Sequence, residues 1–149
     1  MRSQMQAAGY SICCLALALW MSAAKGAGGS VTSADFAEIR QVIHRQIDAF
    51  RRDDAQGAFA LVSPGVQNSF GTPERFLDAV RMEYRAVYRP AHIAFLDLLV
   101  MSGEVVQQVQ LTDRAGALWL AYFSMQRQAD GTWRMNGCRL VQPARTISA

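Results

Sequence analysis

Asp97 is the residue of this chain best suited to acid–base chemistry. It lies in an apolar segment, between Leu96 and Leu98. An aspartate held among apolar side chains loses the solvation of its charge, becomes a stronger base and could act as a general base. No second acid, His or Lys is expected beside it. The alternative is a structural carboxylate near a sheet edge that binds a backbone group or an arginine.

Other chemically capable residues are scattered along the chain. His44, His92 and Cys138 are far apart, and the chain has neither a His-x-x-x-His nor a Cys-x-x-Cys motif, so no metal site and no cofactor are predicted. Arginines recur every four residues beside two tyrosines, at Arg81, Tyr84, Arg85, Tyr88 and Arg89. This ridge could contact an anion or a membrane surface, or it could be a solvated helix face.

The composition is that of one ordinary globular domain. The chain has 149 residues, of which 51% are hydrophobic and 18% charged, with 15 Lys and Arg against 12 Asp and Glu. These values exclude a disordered chain and a polytopic membrane protein. The small positive charge does not indicate a nucleic-acid partner.

The N-terminus has the pattern of a cleavable secretory signal over residues 1–24. Arg2 precedes the apolar run from Ile12 to Met21, and the small residues Ser22, Ala23 and Ala24 follow it. We therefore expect a periplasmic or secreted protein that begins near Lys25 and does not stay inserted in a membrane. Cleavage would leave Cys138 as the only thiol, either buried as a small apolar side chain or exposed.

The rest of the chain changes from helical to strand periodicity. Residues 25–33 read as a flexible leader ending in Ser33, the expected N-cap of a helix that runs to about Arg52 with an apolar stripe of Phe36, Ile39, Ile43, Ile47 and Phe50. Two more helices are expected, at 55–62 and from Pro73 to Pro90. Strands are expected at 93–101, 104–112, 117–128 and 133–141, followed by a frayed tail at 143–149.

This pattern predicts an α+β domain over residues 34–142, in which three N-terminal helices pack on a curved four-stranded antiparallel sheet. Turns centred on 102–103, 113–116 and 130–131 fix the strand register. One sheet face then carries Phe95, Asp97, Leu99, Val106, Gln108, Gln110, Trp119, Ala121, Phe123, Met125, Asn136, Cys138 and Leu140. The opposite face carries Leu96, Leu98, Val105, Gln107, Val109, Leu111, Leu118, Leu120, Tyr122, Ser124, Met135, Arg139 and Val141.

Both predicted faces are apolar enough to require burial. One would meet the helices, and the other would meet a second copy of the chain in a homodimer through its convex face. The first face mixes aromatic side chains with amides, as small-molecule pockets do. The pocket candidates are Phe95, Gln108, Gln110, Trp119, Phe123, Asn136 and Cys138, with Tyr84 and Tyr88 from the third helix. Alternatively, Gln108, Gln110 and Asn136 lie at the wet rim of the sheet.

Several segments resemble a known family. The helix ending in Ala49–Asp54, the short segment Ala58–Pro64 and the four-stranded meander are similar to the nuclear-transport-factor-two-like, or cystatin-like, α+β cone fold. The chain also resembles the bacterial domain-of-unknown-function family 4864 at Phe70-Gly71, Tyr88-Arg89-Pro90, Gln107–Val109, Asp113, Gly116, Trp119, Arg127–Arg134 and Gly137–Leu140. The resemblance implies a fold and an exported bacterial setting but no activity.

Two functions are consistent with these observations. The first is a non-catalytic binding or accessory module that holds a small apolar or amphipathic ligand in the pocket of the cone. The second is a small-substrate lyase or isomerase with Asp97 as general base, since ketosteroid isomerases of the wider superfamily use an Asp base with a Tyr or a second acid. We favour the first, because no such partner of Asp97 can be placed.

Overall fold

The computed structural model describes residues 30–143, in which a helical layer precedes a four-stranded antiparallel sheet. The helices are α1 (Ser33–Arg51), α2 (Ala55–Ala60), α3 (Pro64–Phe70), α4 (Pro73–Glu83) and α5 (Arg85–Tyr88). The strands are β1 (His92–Met101), β2 (Glu104–Thr112), β3 (Leu118–Arg127) and β4 (Trp133–Val141), in the spatial order β1-β2-β3-β4. The predicted α+β meander is confirmed, and each strand boundary lies within one residue of its expected place.

The proposed signal at residues 1–24, residues 25–29 of the proposed leader and residues 144–149 of the proposed tail lie outside the described residues. Within residues 30–143, no helix is both long and apolar enough to cross a membrane.

Helix α1 begins one residue earlier than expected because Thr32, not Ser33, is its N-cap. The Thr32 side chain accepts a hydrogen bond from the Asp35 backbone, and the Asp35 carboxylate accepts one from the Thr32 backbone, which together form a capping box. The stripe from Ile39 to Phe50 is buried as predicted. Phe36, expected in that stripe, is 38% exposed.

The helical region contains five helices because one unexpected helix follows α2 and the expected third helix is interrupted. The unexpected helix is α3, which Ser63 caps, with Pro64 in its first turn. The third helix breaks at Tyr84, whose φ of −121° and ψ of 47° are not helical. This break separates α4 from α5.

The core lies between the helices and one face of the sheet. Helix α1 contributes Ile39, Ile43, Ile47 and Phe50, and the sheet contributes Val109, Leu111, Ala121 and Phe123, each at most 2% exposed. Complete burial of one such large apolar side chain stabilises the fold by about 1.5–3 kcal/mol.

The predicted sorting of side chains between the two faces is wrong for much of β2, because the loop between β2 and β3 holds an odd number of residues. Asp113 pairs with Ala117 through a backbone hydrogen bond of 3.0 Å, which leaves three residues in the loop instead of the expected four. Leu111 therefore lies opposite Trp119, and Val109 opposite Ala121. A shift of one residue exchanges the faces, so Gln107, Val109 and Leu111 face the core, whereas Gln108 and Gln110 do not.

Bulges in β1 and β4 also change which residues of neighbouring strands lie opposite each other. In β1, Phe95 pairs with Val109 and Leu98 with Gln107, so that two β1 residues lie opposite one residue of β2. In β4, Met135 lies opposite Met125, one position away from the expected pairing. The bulge inserts one extra residue, Asn136, so that from Gly137 and Cys138 onward the pairing with β3 is the expected one. Met135 therefore lies in the core and Asn136 is exposed, the reverse of the prediction.

Candidate functional site

A cavity of about 520 Å³ opens between the helical layer and the last two strands. Its deepest residues are Phe50, Val62 and Phe123, each at most 2% exposed, and its mouth includes the exposed Gly65, Ser69 and Asn136. The remaining lining residues are Val66, Phe70, Phe76, Ala79, Val80, Tyr84, Val87, Met135, Gly137 and Cys138. Its size and apolar lining are typical of small-molecule sites.

The helical wall of the cavity is built around Phe76 of α4. The Phe76 ring lies 5.3 Å from that of Phe70, 5.9 Å from that of Phe59 and 6.0 Å from that of Phe50. Such tilted and edge-to-face contacts are favourable for aromatic pairs. The Gln67 side chain donates a hydrogen bond to the Phe59 carbonyl at 2.9 Å. These contacts hold α3 against α2 and α4 and fix the mouth.

The sheet wall depends on the bulge in β4. The backbone of Met135 exchanges hydrogen bonds with Leu61 and Ser63 at 2.9 and 2.8 Å, which joins β4 to the segment before α3. The Ser63 hydroxyl donates to the Asn136 side-chain oxygen at 2.7 Å. Beyond the bulge Cys138 lies opposite Phe123, and both line the cavity.

Tyr84 and Cys138 are the polar side chains in the interior of the cavity. Burial raises the pKa of the Cys138 thiol to about 12, so the thiol is neutral at physiological pH. Burial also raises the pKa of Tyr84, with smaller contributions from Cys138 and Glu83. The Tyr84 hydroxyl makes no hydrogen bond with any other residue of the described range. The cavity therefore offers neutral hydrogen-bond donors in apolar surroundings.

The structure places four of the nine predicted pocket residues at this cavity: Tyr84, Phe123, Asn136 and Cys138. Two of the others, Phe95 and Trp119, pack against the core away from it. Phe95 lies 4.8 Å from the ring of His44, and the Trp119 indole donates to Asp113 at 2.9 Å.

The other three predicted pocket residues do not line the cavity. Gln108 and Gln110 lie on the opposite sheet face because of the loop register, and Gln108 contacts the Tyr122 hydroxyl at 3.4 Å. Tyr88 donates its hydroxyl hydrogen to Asp53.

The expected position of Asp97 is also wrong. Asp97 lies in the bulge of β1 and is exposed, so it does not occupy the middle of an apolar face. The bulge makes Phe95 and Leu98 the inward-facing neighbours and turns Asp97 to solvent.

Apart from Tyr84, sequence reasoning missed the helical half of the cavity. Val66, Phe70, Phe76 and Ala79 line it, but no helix was expected between residues 62 and 73. The Ser63-Pro64 pair, an N-cap followed by proline, was the available signal.

No metal cluster accompanies the cavity. Within residues 30–143, no three His, Cys, Asp or Glu side chains gather closely enough to hold an ion. His44 and His92 are both exposed. In the predicted arginine ridge, Arg81 and Arg89 bind Asp53 at 2.9 and 2.8 Å.

A family model shows the family of this chain, and a solved structure shows its fold. The family model described as "Domain of unknown function (DUF4864)" matches residues 32–147. A crystal structure of a protein of unknown function with a cystatin-like fold, from Nostoc punctiforme PCC 73102, aligns with a TM-score of 0.52 and 12% identity over 76% of this chain and 96% of that chain. This likeness shows a cystatin-like fold and nothing about activity.

A second solved structure, from Catenulispora acidiphila, aligns with a TM-score of 0.47 and 17% identity over 78% of this chain and 96% of that one. No curated protein matches the chain significantly.

Proposed function

The chain belongs to the DUF4864 family of domains of unknown function, and we propose that it is a non-catalytic module that binds a small ligand in the cavity between α3 and β4. The observation that carries this proposal is the cavity itself, about 520 Å³ in volume and walled by apolar side chains with a few polar groups. Cavities of this kind bury most of the surface of a small molecule.

The same cavity argues against an acid–base enzyme. General acid–base catalysis needs a group that titrates near the working pH, and no Asp, Glu, His, Lys or Arg lines the cavity. The two titratable side chains there, Tyr84 and Cys138, both have pKa values raised by burial. Asp97, the base of the alternative hypothesis, lies in the bulge of β1 and outside the cavity lining.

Binding can be tested with N-phenyl-1-naphthylamine, an uncharged dye whose fluorescence rises in apolar surroundings. Ala79 lines the cavity from α4, and Ala79→Phe would fill part of it. We expect the wild-type protein to enhance the fluorescence saturably and Ala79→Phe to abolish the enhancement. The matched control is Ala37→Phe, on the exposed side of α1, which should bind as the wild type does. Equal binding by wild type and a folded Ala79→Phe variant would reject the cavity as the site.

We further propose that the protein is exported to the periplasm or the medium after cleavage near Ala24. The support is the pattern of Arg2, the apolar run and the small residues before Lys25. N-terminal sequencing of the protein from a fractionated bacterial host should give a chain that starts near Lys25. An intact Met1 in the cytoplasmic fraction would contradict the proposal.

We also propose that a second copy of the chain covers the outer sheet face. Leu118 and Val141 on this face are 48% and 38% exposed, and Leu120 and Tyr122 lie beside them half-buried. Gln108, Gln110 and Arg139 lie beside these apolar side chains on the same face. Exposed apolar side chains rimmed by polar ones are typical of an interface. A homodimer would bury it without any further partner.

A further inference from the structure

We propose that the ligand of the cavity is an uncharged, mainly apolar molecule with a carbonyl or similar acceptor oxygen, which receives a hydrogen bond from the hydroxyl of Tyr84. This inference rests on the proposed binding function and adds the chemical class of the ligand.

The absence of charge follows from the lining residues. The sixteen side chains and glycines around the cavity include no acidic residue, no basic residue and no histidine. A charged ligand group would lose its hydration on entering and gain no opposite charge in return, and such burial is strongly unfavourable. The lining therefore discriminates against carboxylates, phosphates and ammonium groups alike.

The need for an acceptor follows from the polar groups that remain free. The Tyr84 hydroxyl has no hydrogen-bond partner among residues 30–143, and Tyr84 is half-buried. The hydroxyl is not among the fully buried unpaired atoms of the described residues, so water can reach it, but the donor becomes unfavourably unpaired once a ligand excludes that water. A ligand with an acceptor oxygen satisfies this donor, whereas a pure hydrocarbon leaves it unpaired.

The polar groups near Tyr84 also favour a ligand that accepts hydrogen bonds. Cys138 lies close enough to influence the titration of Tyr84 and adds a weak S–H donor. At the mouth, the side-chain oxygen of Asn136 already accepts from Ser63, so that its amide N–H groups are the part left for a ligand. The Ser69 hydroxyl already donates to the Gly65 carbonyl, so it can only accept a further hydrogen bond. The donors left for a ligand are therefore those of Tyr84, Cys138 and the Asn136 amide.

The position of Tyr84 explains why one tyrosine can serve as the anchor. The residue stands at the break between α4 and α5, where its own backbone is not helical. Its backbone N–H donates to Val80 at 2.9 Å, and its carbonyl accepts from Val87 and Tyr88, each at 2.9 Å. These bonds fix the residue in the wall while leaving its hydroxyl free of protein partners.

Four probes built on one diphenylmethyl skeleton separate these effects. Benzophenone is neutral and has an acceptor, diphenylmethane is neutral and has none, diphenylacetate is an anion, and benzhydrylammonium is a cation. Equilibrium dialysis against the wild-type protein should give the tightest binding for benzophenone. We expect diphenylmethane to bind about ten-fold more weakly than benzophenone, because it lacks one hydrogen bond between neutral groups. The two ions should bind at least about ten-fold more weakly than benzophenone.

Tyr84→Phe tests the assignment of the donor. We expect this variant to bind benzophenone about ten-fold more weakly and diphenylmethane as well as the wild type does, so that the two probes become equivalent. The control is Tyr122→Phe, which removes a hydroxyl from the outer sheet face and should leave all four affinities unchanged.

The outcomes distinguish the ligand class from the binding function. If both neutral probes bind, Ala79→Phe abolishes binding, and Tyr84→Phe leaves the preference for benzophenone intact, the cavity binds ligands but Tyr84 is not the donor. If diphenylacetate or benzhydrylammonium binds as tightly as benzophenone, the neutral class is wrong. If no probe binds, or if a folded Ala79→Phe variant binds them all unchanged, the proposed function itself fails.

Discussion

The carboxylate of Asp53 accepts a hydrogen bond from the hydroxyl of Tyr88, which joins the end of α1 to α5. Arg81 and Arg89 bind the same carboxylate at 2.9 and 2.8 Å, and the guanidinium carbon of Arg89 lies 4.8 Å from the centre of the Tyr88 ring. Asp53 has a φ of 54°, a left-handed backbone that aspartate and asparagine tolerate better than most residues. The predicted basic ridge is therefore largely neutralised within the fold.

Asp53→Asn removes this charge and keeps a side chain that tolerates the same backbone. The hydrogen bonds from Tyr88 and Arg81 lower the pKa of Asp53, so the charged form is the stabilising one. We expect the substitution to lower the Tm at neutral pH, with a smaller effect in 1 M salt because partly exposed charges are screened. Asp78→Asn, which removes only an exposed partner of Arg81, is the control and should change the Tm little. Equal effects of the two substitutions would contradict a special role for Asp53.

Acid sensitivity should depend on Asp35, which joins α1 to the start of β4. Its carboxylate accepts hydrogen bonds from the Thr32 backbone at 2.8 Å and the Trp133 indole at 2.9 Å, and these bonds lower the pKa of Asp35 below its ordinary 3.8. A carboxylate whose pKa is lower in the folded than in the unfolded protein stabilises the fold at pH values above its unfolded-state pKa. This stabilisation is lost as the pH falls through its folded-state pKa.

We therefore expect the free energy of unfolding to fall as the pH drops from about 5 to about 2, and to fall less steeply in Asp35→Asn. The control is Asp48→Asn, at an exposed carboxylate that pairs with Arg51. Urea unfolding at several pH values measures both slopes. If Asp35→Asn and wild type have the same slope, the acid sensitivity arises elsewhere.

Two completely buried glutamines should respond in opposite directions to the same substitution. Neither amide atom of Gln46 has a hydrogen-bond partner among the described residues. Gln107 donates to the Leu96 and Asp97 carbonyls at 3.0 and 3.3 Å and so stabilises the bulge of β1. We expect Gln46→Met to stabilise the fold by about 1 kcal/mol and Gln107→Met to destabilise it by about 1–3 kcal/mol. Denaturant melts measure both changes, and a shared sign would refute the reasoning.

Cys138 should react slowly with iodoacetamide in the native protein. Burial raises the pKa of its thiol to about 12, and the thiolate is the reactive form. We expect the rate to keep rising with pH beyond about 9, where an ordinary thiol levels off. In urea the reaction should accelerate and take the ordinary pH profile. A native rate that levels off near pH 9 would show an unburied thiol.

The proposed dimer predicts a change of mass on substitution of the outer sheet face. Leu118 and Leu120 lie on that face, and a glutamate at each position would introduce charges that a dimer interface could not solvate. Light scattering should find a dimer for the wild type and a monomer for Leu118→Glu/Leu120→Glu. Phe36→Glu, at an exposed apolar residue of α1, is the control and should remain dimeric. Stable monomers in every case would contradict the proposal.

Local sequence determined the four strands of this protein, whereas the tertiary structure decided which side chains meet. Alternation and turn residues predicted all four strands within one residue, because periodicity and turn chemistry act over a few neighbouring positions. The inward direction of Gln107 and the outward direction of Gln108 depended on the three-residue loop between β2 and β3, and the outward direction of Asp97 depended on the bulge of β1. One extra residue in a loop or strand turns the following side chains to the opposite sheet face, although the alternation of apolar and polar residues stays the same.

The candidate site shows the same division. Phe123 and Cys138 were correctly placed because the loop before β4 and the bulge at Asn136 compensate each other. The cavity also needs α3 and the helix break at Tyr84. The apolar walls were therefore present in the sequence, but only the packing of α3 and α4 against β4 brings them around one space, because that contact joins residues more than fifty positions apart.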